Sequence, residues 1–245
     1  MPIRPADALL CADDGEPLAR LRERDDDGPM VRPIAAADRV ARQMLRDLPG
    51  RQVETPDDAL AKALVAAGAT LTRSATELQH DLEDLPDPVA LPAGWSLSAA
   101  GWDGDLAAAL DAAYGPDHPD GGWTDNDTTS VRDMFERSDP VPPLLPASAR
   151  LVGPDGRSAG HVLCAGPVPW TEYPCAWILN IGVGPHAQGN GFGRALLLHA
   201  LHGTRDAGQP VLALSVVDGN PARHLYDRTG FTVVTRVLTL TTPAA

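Results

Sequence analysis

Residues 177–194, WILNIGVGPHAQGNGFGR, constrain the fold of this chain more than any other segment. A run of strand-forming residues ends at Gly184 and Pro185, a loop with three alternate glycines follows, and a helical pattern then begins. Glycine permits positive φ and a close approach to a ligand, so the N–H groups of such a loop can converge on one anion. The order of strand, glycine loop and helix therefore predicts a phosphate-binding turn, with Arg194 adding positive charge.

The spacing of the glycines argues against two common phosphate loops. A Walker A loop continues with Lys and then Ser or Thr after its last glycine, whereas this chain continues with Arg194 and Ala195. The dinucleotide fingerprint needs its third glycine three residues after the second, and that position is also Arg194. A P-loop NTPase and a Rossmann dinucleotide site are therefore disfavoured.

Two motifs in the same order resemble those of one family. Residues 188–193, QGNGFG, match Q/R-x-x-G-x-G/A, the pyrophosphate loop of the GNAT superfamily of acyl-CoA-dependent N-acyltransferases. Downstream, residues 218–231, DGNPARHLYDRTGF, are similar to the family's N-x-x-A-x-x-L-Y-x-x-x-G-F segment. A glycine-rich strand-to-helix turn without a ligand is the alternative interpretation of the loop alone.

The resemblance implies an α/β (α+β) GNAT fold, a mixed central sheet flanked by helices. It also implies that acetyl-CoA is the acyl donor and that the acyl group passes directly to a primary amine of a small molecule or peptide. The implied donor-binding residues come from the end of the central strand, the glycine loop and the downstream motif. They are Ile181, Gly182, Val183, Gln188, Gly189, Asn190, Gly191, Phe192, Gly193, Arg194 and Asn220.

Tyr226 matches the family's usual general acid, because a phenol can share its proton with the departing sulfur. The family often places a carboxylate base on the central strand, but this strand offers only Asn180, which cannot accept a proton at neutral pH. We predict Glu172, just before the strand, as the base. Asp117, His118 and a water-relayed base remain alternatives.

Residues 115–127 form an aspartate-rich loop in the region that commonly lines the acceptor site of the family. The predicted substrate-binding residues are Asp117, His118, Trp123 and Asn180. Carboxylates in this loop would attract a cationic amine, and Trp123 would supply an apolar wall. A solvated, turn-rich loop is the alternative interpretation.

An internal repeat suggests two domains. Residues 59–73 align without a gap on residues 221–235 as a helix, a capping glycine and a strand. The first copy has Leu64 in place of Tyr226, and residues 34–39, IAAADR, in place of the glycine loop. We therefore predict a partial, degenerate GNAT-like domain without catalytic function at residues 1–90 and a catalytic domain at 91–245, joined by a proline-rich linker at 85–92. A chance likeness of helix and strand is the alternative.

Composition limits the partners, the cellular location and the metal binding that we expect. The 245 residues carry a net charge of −13, which argues against a nucleic-acid partner and favours cationic ones. No apolar run is long enough to span a membrane and the first residues lack a signal-peptide pattern, so we expect a cytoplasmic protein without a membrane partner. A monomer and a homodimer both stay open. Three scattered cysteines, and the pair His199 and His202 without a third ligand, predict no metal site.

Two other functional classes stay open. A non-catalytic acyl-CoA-binding regulatory protein would bind the thioester but would be indifferent to the loss of the Tyr226 hydroxyl. A scaffold protein built on the duplicated fold would have no affinity for CoA.

Overall fold

The computed structural model describes residues 8–22, 28–139, 141–171 and 173–244. The chain divides into two compact units, Met1–Glu77 with Val234–Ala245 and Leu78–Val233. The predicted boundary near residue 90 falls inside the second of these units. Val234–Ala245 belong to the first unit, because the last strand of the chain pairs with residues 52–55. In the described part of the chain, none of the helices combines the length and apolar character that a membrane-crossing helix needs.

The elements of the N-terminal part alternate strands and helices after an initial hairpin. They are β1 (Ala8–Cys11), β2 (Pro17–Arg22), β3 (Met30–Pro33), α1 (Ala37–Asp47), β4 (Gln52–Thr55), α2 (Asp58–Ala66) and β5 (Thr70–His80). The predicted hairpin is confirmed by the antiparallel pairing of β1 with β2. In this unit β2 also pairs antiparallel with β3, and β3 pairs parallel with β4. The buried core here includes Val40, Met44, Leu60 and Leu64 from the two helices.

The remaining elements begin after residue 95. They are β6 (Ser96–Ala99), α3 (Gly104–Ala113), α4 (Asp125–Glu136), β7 (Ala149–Val152), β8 (Ser158–Ala165), β9 (Ala176–Val183), α5 (Phe192–Asp206), β10 (Leu212–Val217), α6 (Arg223–Arg228) and β11 (Thr232–Thr241). Strands β6 to β9 pair antiparallel in order, and β9 pairs parallel with β10, so the sheet is mixed. The fold is therefore the α/β architecture that the sequence predicts.

Helix α5 supplies the centre of the core of the second unit. Leu196, Leu197, Ala200 and Leu201 are fully buried, as their spacing along one helical face predicts. Leu198 is also fully buried, so the buried face is wider than the predicted one.

The proline-rich segment at residues 85–92 is not a free linker. Leu85 and Leu91 pack against the buried core of the second unit, and the His202 imidazole contacts the Pro86 carbonyl oxygen at 2.9 Å. The prolines do prevent regular secondary structure here, but the leucines between them bury apolar surface. The segment therefore belongs to the second unit.

The predicted repeat is visible in backbone geometry. Gly68 follows α2 with φ 99°, and Gly230 follows α6 with φ 98°. The next N–H closes the same turn in both copies, from Ala69 to the Leu64 carbonyl at 2.9 Å and from Phe231 to the Tyr226 carbonyl at 3.1 Å. The two segments thus share one helix-ending conformation.

Candidate active site

The glycine loop enters α5 through a left-handed backbone. Gly189 has φ 80° and Gly191, the N-cap of α5, has φ 78°. A Cβ at either position would meet no atom within 4 Å, so glycine is needed for conformation and not for space inside the protein. Gln188 Nε2 donates to the Val183 carbonyl oxygen at 2.9 Å and thereby ties the loop to the end of β9. The first N–H groups of a helix have no carbonyl partner within it, so this cradle is suited to an anion.

Strand β9 leaves one edge open at its carboxyl end. In the described residues its parallel register with β10 comprises Leu212 with Ala176 and Ala213 with Trp177, whereas its register with β8 continues to Val183. The β8–β9 register shifts where Leu163 pairs with Asn180 and Cys164 with Ile178, which makes Leu179 the extra residue of a β-bulge. The backbone of residues 178–183 on the side of β10 can therefore bond an extended ligand.

Helix α3 delivers an aromatic side chain to this open edge. The helix is capped by Asp103, whose carboxylate accepts a hydrogen bond from Leu106 N at 2.8 Å, and Tyr114 is its C-cap. The Tyr114 hydroxyl donates to the Ile181 carbonyl oxygen at 3.4 Å. Gly182 permits this approach, because a Cβ there would lie only 2.8 Å from Ala113 Cβ.

A carboxylate and an amide form a hydrogen-bonded pair beside this aromatic group. Asn220 is buried, and its Oδ1 accepts the Ala222 N–H at 2.9 Å. That bond fixes the orientation of the amide, and Asn220 Nδ2 donates to Asp120 Oδ2 at 2.8 Å. The loop after α3 is therefore tied to the turn before α6.

Two phenols share this environment. Tyr226 on α6 is buried, with its ring centroid 5.8 Å from that of Phe231. Burial, and then the negative charge of Asp120, raise the pKa of Tyr226 well above its usual value. The pKa of Tyr114 is raised by burial, by the charge of Asp120 and by its interaction with Tyr226. Both phenols are therefore held protonated at neutral pH.

The remainder of the aspartate-rich loop is organised by local hydrogen bonds. His118 Nδ1 accepts the Asp120 N–H at 3.1 Å, and the His118 ring lies 4.5 Å from that of Tyr114. Trp123 Nε1 donates to Thr128 Oγ1 at 2.8 Å. Asp127 is part of a capping box at the start of α4, which explains part of the aspartate content by helix capping.

His161 on β8 is fully buried beneath the same site. Its Nε2 is hydrogen-bonded to Asn180 Oδ1, and its Nδ1 is buried without a hydrogen-bond partner among the described residues. Burial lowers the pKa of His161 to about 4, against the opposing effect of the Asn180 hydrogen bond. The ring is therefore neutral at physiological pH.

A known protein family matches the part of the chain that forms this site. The acetyltransferase (GNAT) family matches residues 105–231, which include α3, the open strand edge, the glycine loop and α6. This chain belongs to the GNAT family. A mycothiol acetyltransferase of Thermomonospora curvata is 35% identical over 185 residues, which are 72% of this chain and 58% of that protein. A second, from Pseudarthrobacter chlorophenolicus, is 33% identical over 61% of this chain and 46% of that protein. The chain thus spans about half the length of these curated relatives.

Solved GNAT structures share the fold of nearly the whole chain. A GCN5-related N-acetyltransferase from Sphaerobacter thermophilus superposes with a TM-score of 0.65 at 19% sequence identity. The match covers 97% of this chain and 81% of that protein's chain. A tandem GNAT protein from the clavulanic acid biosynthesis pathway has a TM-score of 0.57 at 15% identity, over 96% and 81% of the two chains. The GNAT fold and a tandem arrangement agree with the sequence prediction.

In this structure residues 181–183 and 188–193 of the predicted donor site lie at and just after the carboxyl end of β9, and several other predicted residues have local contacts of their own. The Phe192 side chain is buried in the core, 4.3 Å from the Trp95 ring, so only its backbone can face a ligand. Asn180 bonds His161, and Asp117 is exposed. Glu172, the predicted base, lies outside the described residues.

Sequence reasoning missed Tyr114 and His161, and it did not separate Asp120 from the other carboxylates of its loop. Tyr114 contacts Ile181, which lies 67 residues later in the chain, so no local pattern connects them. Among the described residues no group of three histidines, cysteines or acidic residues is placed to hold a metal ion. Of the histidine pair on α5, His202 is bonded at both ring nitrogens, to the Pro86 carbonyl and the Arg205 guanidinium.

Proposed function

We propose that this chain is an acetyl-CoA-dependent N-acetyltransferase that moves the acetyl group directly to a primary amine. The observation that carries the proposal is the meeting of an open β9 edge, a left-handed glycine cradle and a buried phenol within one unit. Membership of the GNAT family supports the same reaction.

The pyrophosphate of acetyl-CoA would bind the N–H groups at the start of α5, around Gly189 and Gly191. Arg194 in the first turn would add positive charge beside it. The pantetheine arm would bond the backbone of Ile181 to Val183, where β9 has no β10 partner in the described residues. This assignment uses backbone groups, which the glycines at the two left-handed positions leave uncovered by a Cβ.

Acetyl-CoA supplies a thioester carbonyl that a neutral amine can attack. Tyr226 would protonate the departing sulfur, because its phenol is protonated at neutral pH and lies in the buried part of the site. None of the cysteines lies in a motif that suggests a covalent acyl intermediate, which supports direct transfer.

The acceptor would be an amine that is protonated before it binds, since the chain carries a net charge of −13 and the loop after α3 is rich in aspartate. The relatives named mycothiol acetyltransferase make their acceptor the first one to test. The N-terminal unit would be a degenerate copy without catalytic function. Its loop N–H groups at Ile34 and Ala35 both donate to the Leu18 carbonyl, at 2.8 and 3.0 Å, and are thus unavailable to a phosphate.

Calorimetric titration with acetyl-CoA tests the donor site. Gly191→Asp places a carboxylate in the phosphate cradle and should abolish saturable binding. Gly156→Asp is the matched control, because Gly156 also has φ 78° and open space around its Cβ position but lies in the β7–β8 turn. Wild-type protein that does not bind acetyl-CoA would refute the proposal. Binding without release of free CoA across an amine panel would favour the regulatory alternative.

A further inference from the structure

The general base that the central strand lacks has a candidate in the loop after α3. Asp120 is the carboxylate of that loop that the described structure ties to the α6 turn, through the 2.8 Å bond from Asn220. Its side chain is 28% exposed, so one face of the carboxylate reaches solvent. A base at an open face can pass its proton to water after each transfer.

The Asp120 charge acts on both phenols of the proposed chemistry, Tyr114 and Tyr226. Tyr114 in turn bonds Ile181 at 3.4 Å, where the β9 edge opens. Through Asn220 the carboxylate is also joined to the turn that leads into α6, the helix that carries the proposed acid.

His118, the nearest alternative base, is unsuited to the role. Its Nδ1 accepts the Asp120 N–H, so the proton of the neutral ring is on Nε2. In that tautomer Nε2 already carries a proton, so it is a hydrogen-bond donor and cannot take a proton from an amine. The same Nδ1 lies 3.6 Å from Asp120 Oδ2, so His118 holds the Asp120 backbone and donates no hydrogen bond from this nitrogen to the carboxylate.

We propose that Asp120 binds the ammonium group of the acceptor and is the base that deprotonates it. The inference rests on the proposed function and assigns its missing catalytic residue. Asn220 would then position Asp120 through its amide, and the Ala222 N–H would position Asn220.

The proton balance needs two transfers to Asp120. In the first, Asp120 takes a proton from the ammonium and releases it to solvent. The amine lone pair then forms the C–N bond at the thioester carbon. As the C–S bond breaks, Tyr226 gives its proton to sulfur, and Asp120 takes the second proton from nitrogen. Asp120 then passes this second proton to the Tyr226 phenolate, which restores the acid. One acetyl group is transferred, and CoA thiol and one solvent proton are the other products.

Binding of two CoA thioethers tests the recognition step without a known acceptor. S-(2-aminoethyl)-CoA carries an ammonium where S-propyl-CoA carries a methyl group, and the rest of the two probes is identical. Wild-type protein should bind the ammonium probe about tenfold more tightly by calorimetry. Asp120→Asn should lose this preference yet still bind S-propyl-CoA, which shows that the variant is folded.

Asp111→Asn is the charge-matched control, because Asp111 is an exposed carboxylate on α3, and it should keep the preference. An equal affinity of wild-type protein for the two probes, or a preference that survives Asp120→Asn, would overturn the inference. Failure of wild-type protein to bind either probe would instead refute the donor site.

Release of free CoA with two simple amines tests the base. n-Propylamine is charged at neutral pH, whereas 2,2,2-trifluoroethylamine is largely neutral and needs less help from a base. Asp120→Asn should slow turnover of n-propylamine by about 10²-fold and that of trifluoroethylamine by much less. Equal losses with both amines, or no turnover of either by wild-type protein, would refute the role of Asp120 as base.

Discussion

Gly68 and Gly230 end two different helices with the same left-handed turn, at φ 99° and 98°. Their surroundings differ. A Cβ at Gly68 would have its nearest contact at 4.0 Å, on Pro243, whereas a Cβ at Gly230 would lie 2.9 Å from Nε2 of the His80 ring. The repeat thus preserves a backbone conformation while the packing around it has diverged.

Alanine substitutions at the two glycines separate these effects. Gly68→Ala should lower the free energy of unfolding by about 1–2 kcal/mol, the strain of a left-handed alanine. Gly230→Ala should cost more, because the buried His80 ring must also move and its Nδ1 accepts the Leu82 N–H at 2.9 Å. Urea denaturation of both variants measures the difference. Equal losses would mean that the His80 ring relaxes freely.

Gly182→Ala tests the close approach of α3 to β9. The added methyl would lie 2.8 Å from Ala113 Cβ and 3.2 Å from the His161 ring. We expect a loss of about 1–3 kcal/mol in the free energy of unfolding from this overpacking. Gly104→Ala is the control, because a Cβ there would meet no atom within 4 Å. A Gly182→Ala variant as stable as the control would contradict the packing described for α3.

Loss of the Tyr226 hydroxyl should affect catalysis without affecting donor binding. Phe keeps the ring packing against Phe231, so Tyr226→Phe should bind acetyl-CoA as the wild type does. Its kcat should fall by about 10²-fold, since a general acid is lost. Tyr114→Phe removes only the long 3.4 Å bond to Ile181 and should have a smaller effect on kcat. A larger effect at Tyr114 would reassign the acid to that residue. Calorimetry and release of free CoA provide the two measurements.

The sequence predicts those parts of the site in which backbone chemistry is local. The left-handed glycines and the turn at Gly230 depend on neighbouring residues in the chain, so their motifs can be recognised from the sequence alone. Tyr114 joins the site through Ile181, far along the chain, and the bulge at Leu179 arises from pairing with β8. Such contacts depend on tertiary packing and leave no periodic signal. The segment at residues 85–92 did carry a local signal against a free linker, because Leu85 and Leu91 stand among its prolines.

His161 makes the stability of the protein depend on pH. Its pKa in the folded state is about 4, below the ordinary value of 6.5, so the unfolded chain binds a proton that the folded chain rejects. The stabilisation is complete above pH 6.5 and is lost as the pH falls towards 4, by up to about 3 kcal/mol. Urea denaturation between these pH values should show a shallower dependence for His161→Gln than for wild-type protein. Parallel curves would show that the imidazole is not held neutral.

Donor binding should occur once per chain, although the fold is duplicated. In the N-terminal copy α1 has Ala36 as its N-cap, at φ −58°, and the preceding N–H groups of Ile34 and Ala35 are bonded to Leu18. A phosphate there would have to break those two bonds and pass the side chains of a loop without glycine. Calorimetric titration with acetyl-CoA should therefore give a stoichiometry of one, and Gly191→Asp should remove all of it. A second equivalent that survives Gly191→Asp would show that the N-terminal copy retains a cradle of its own.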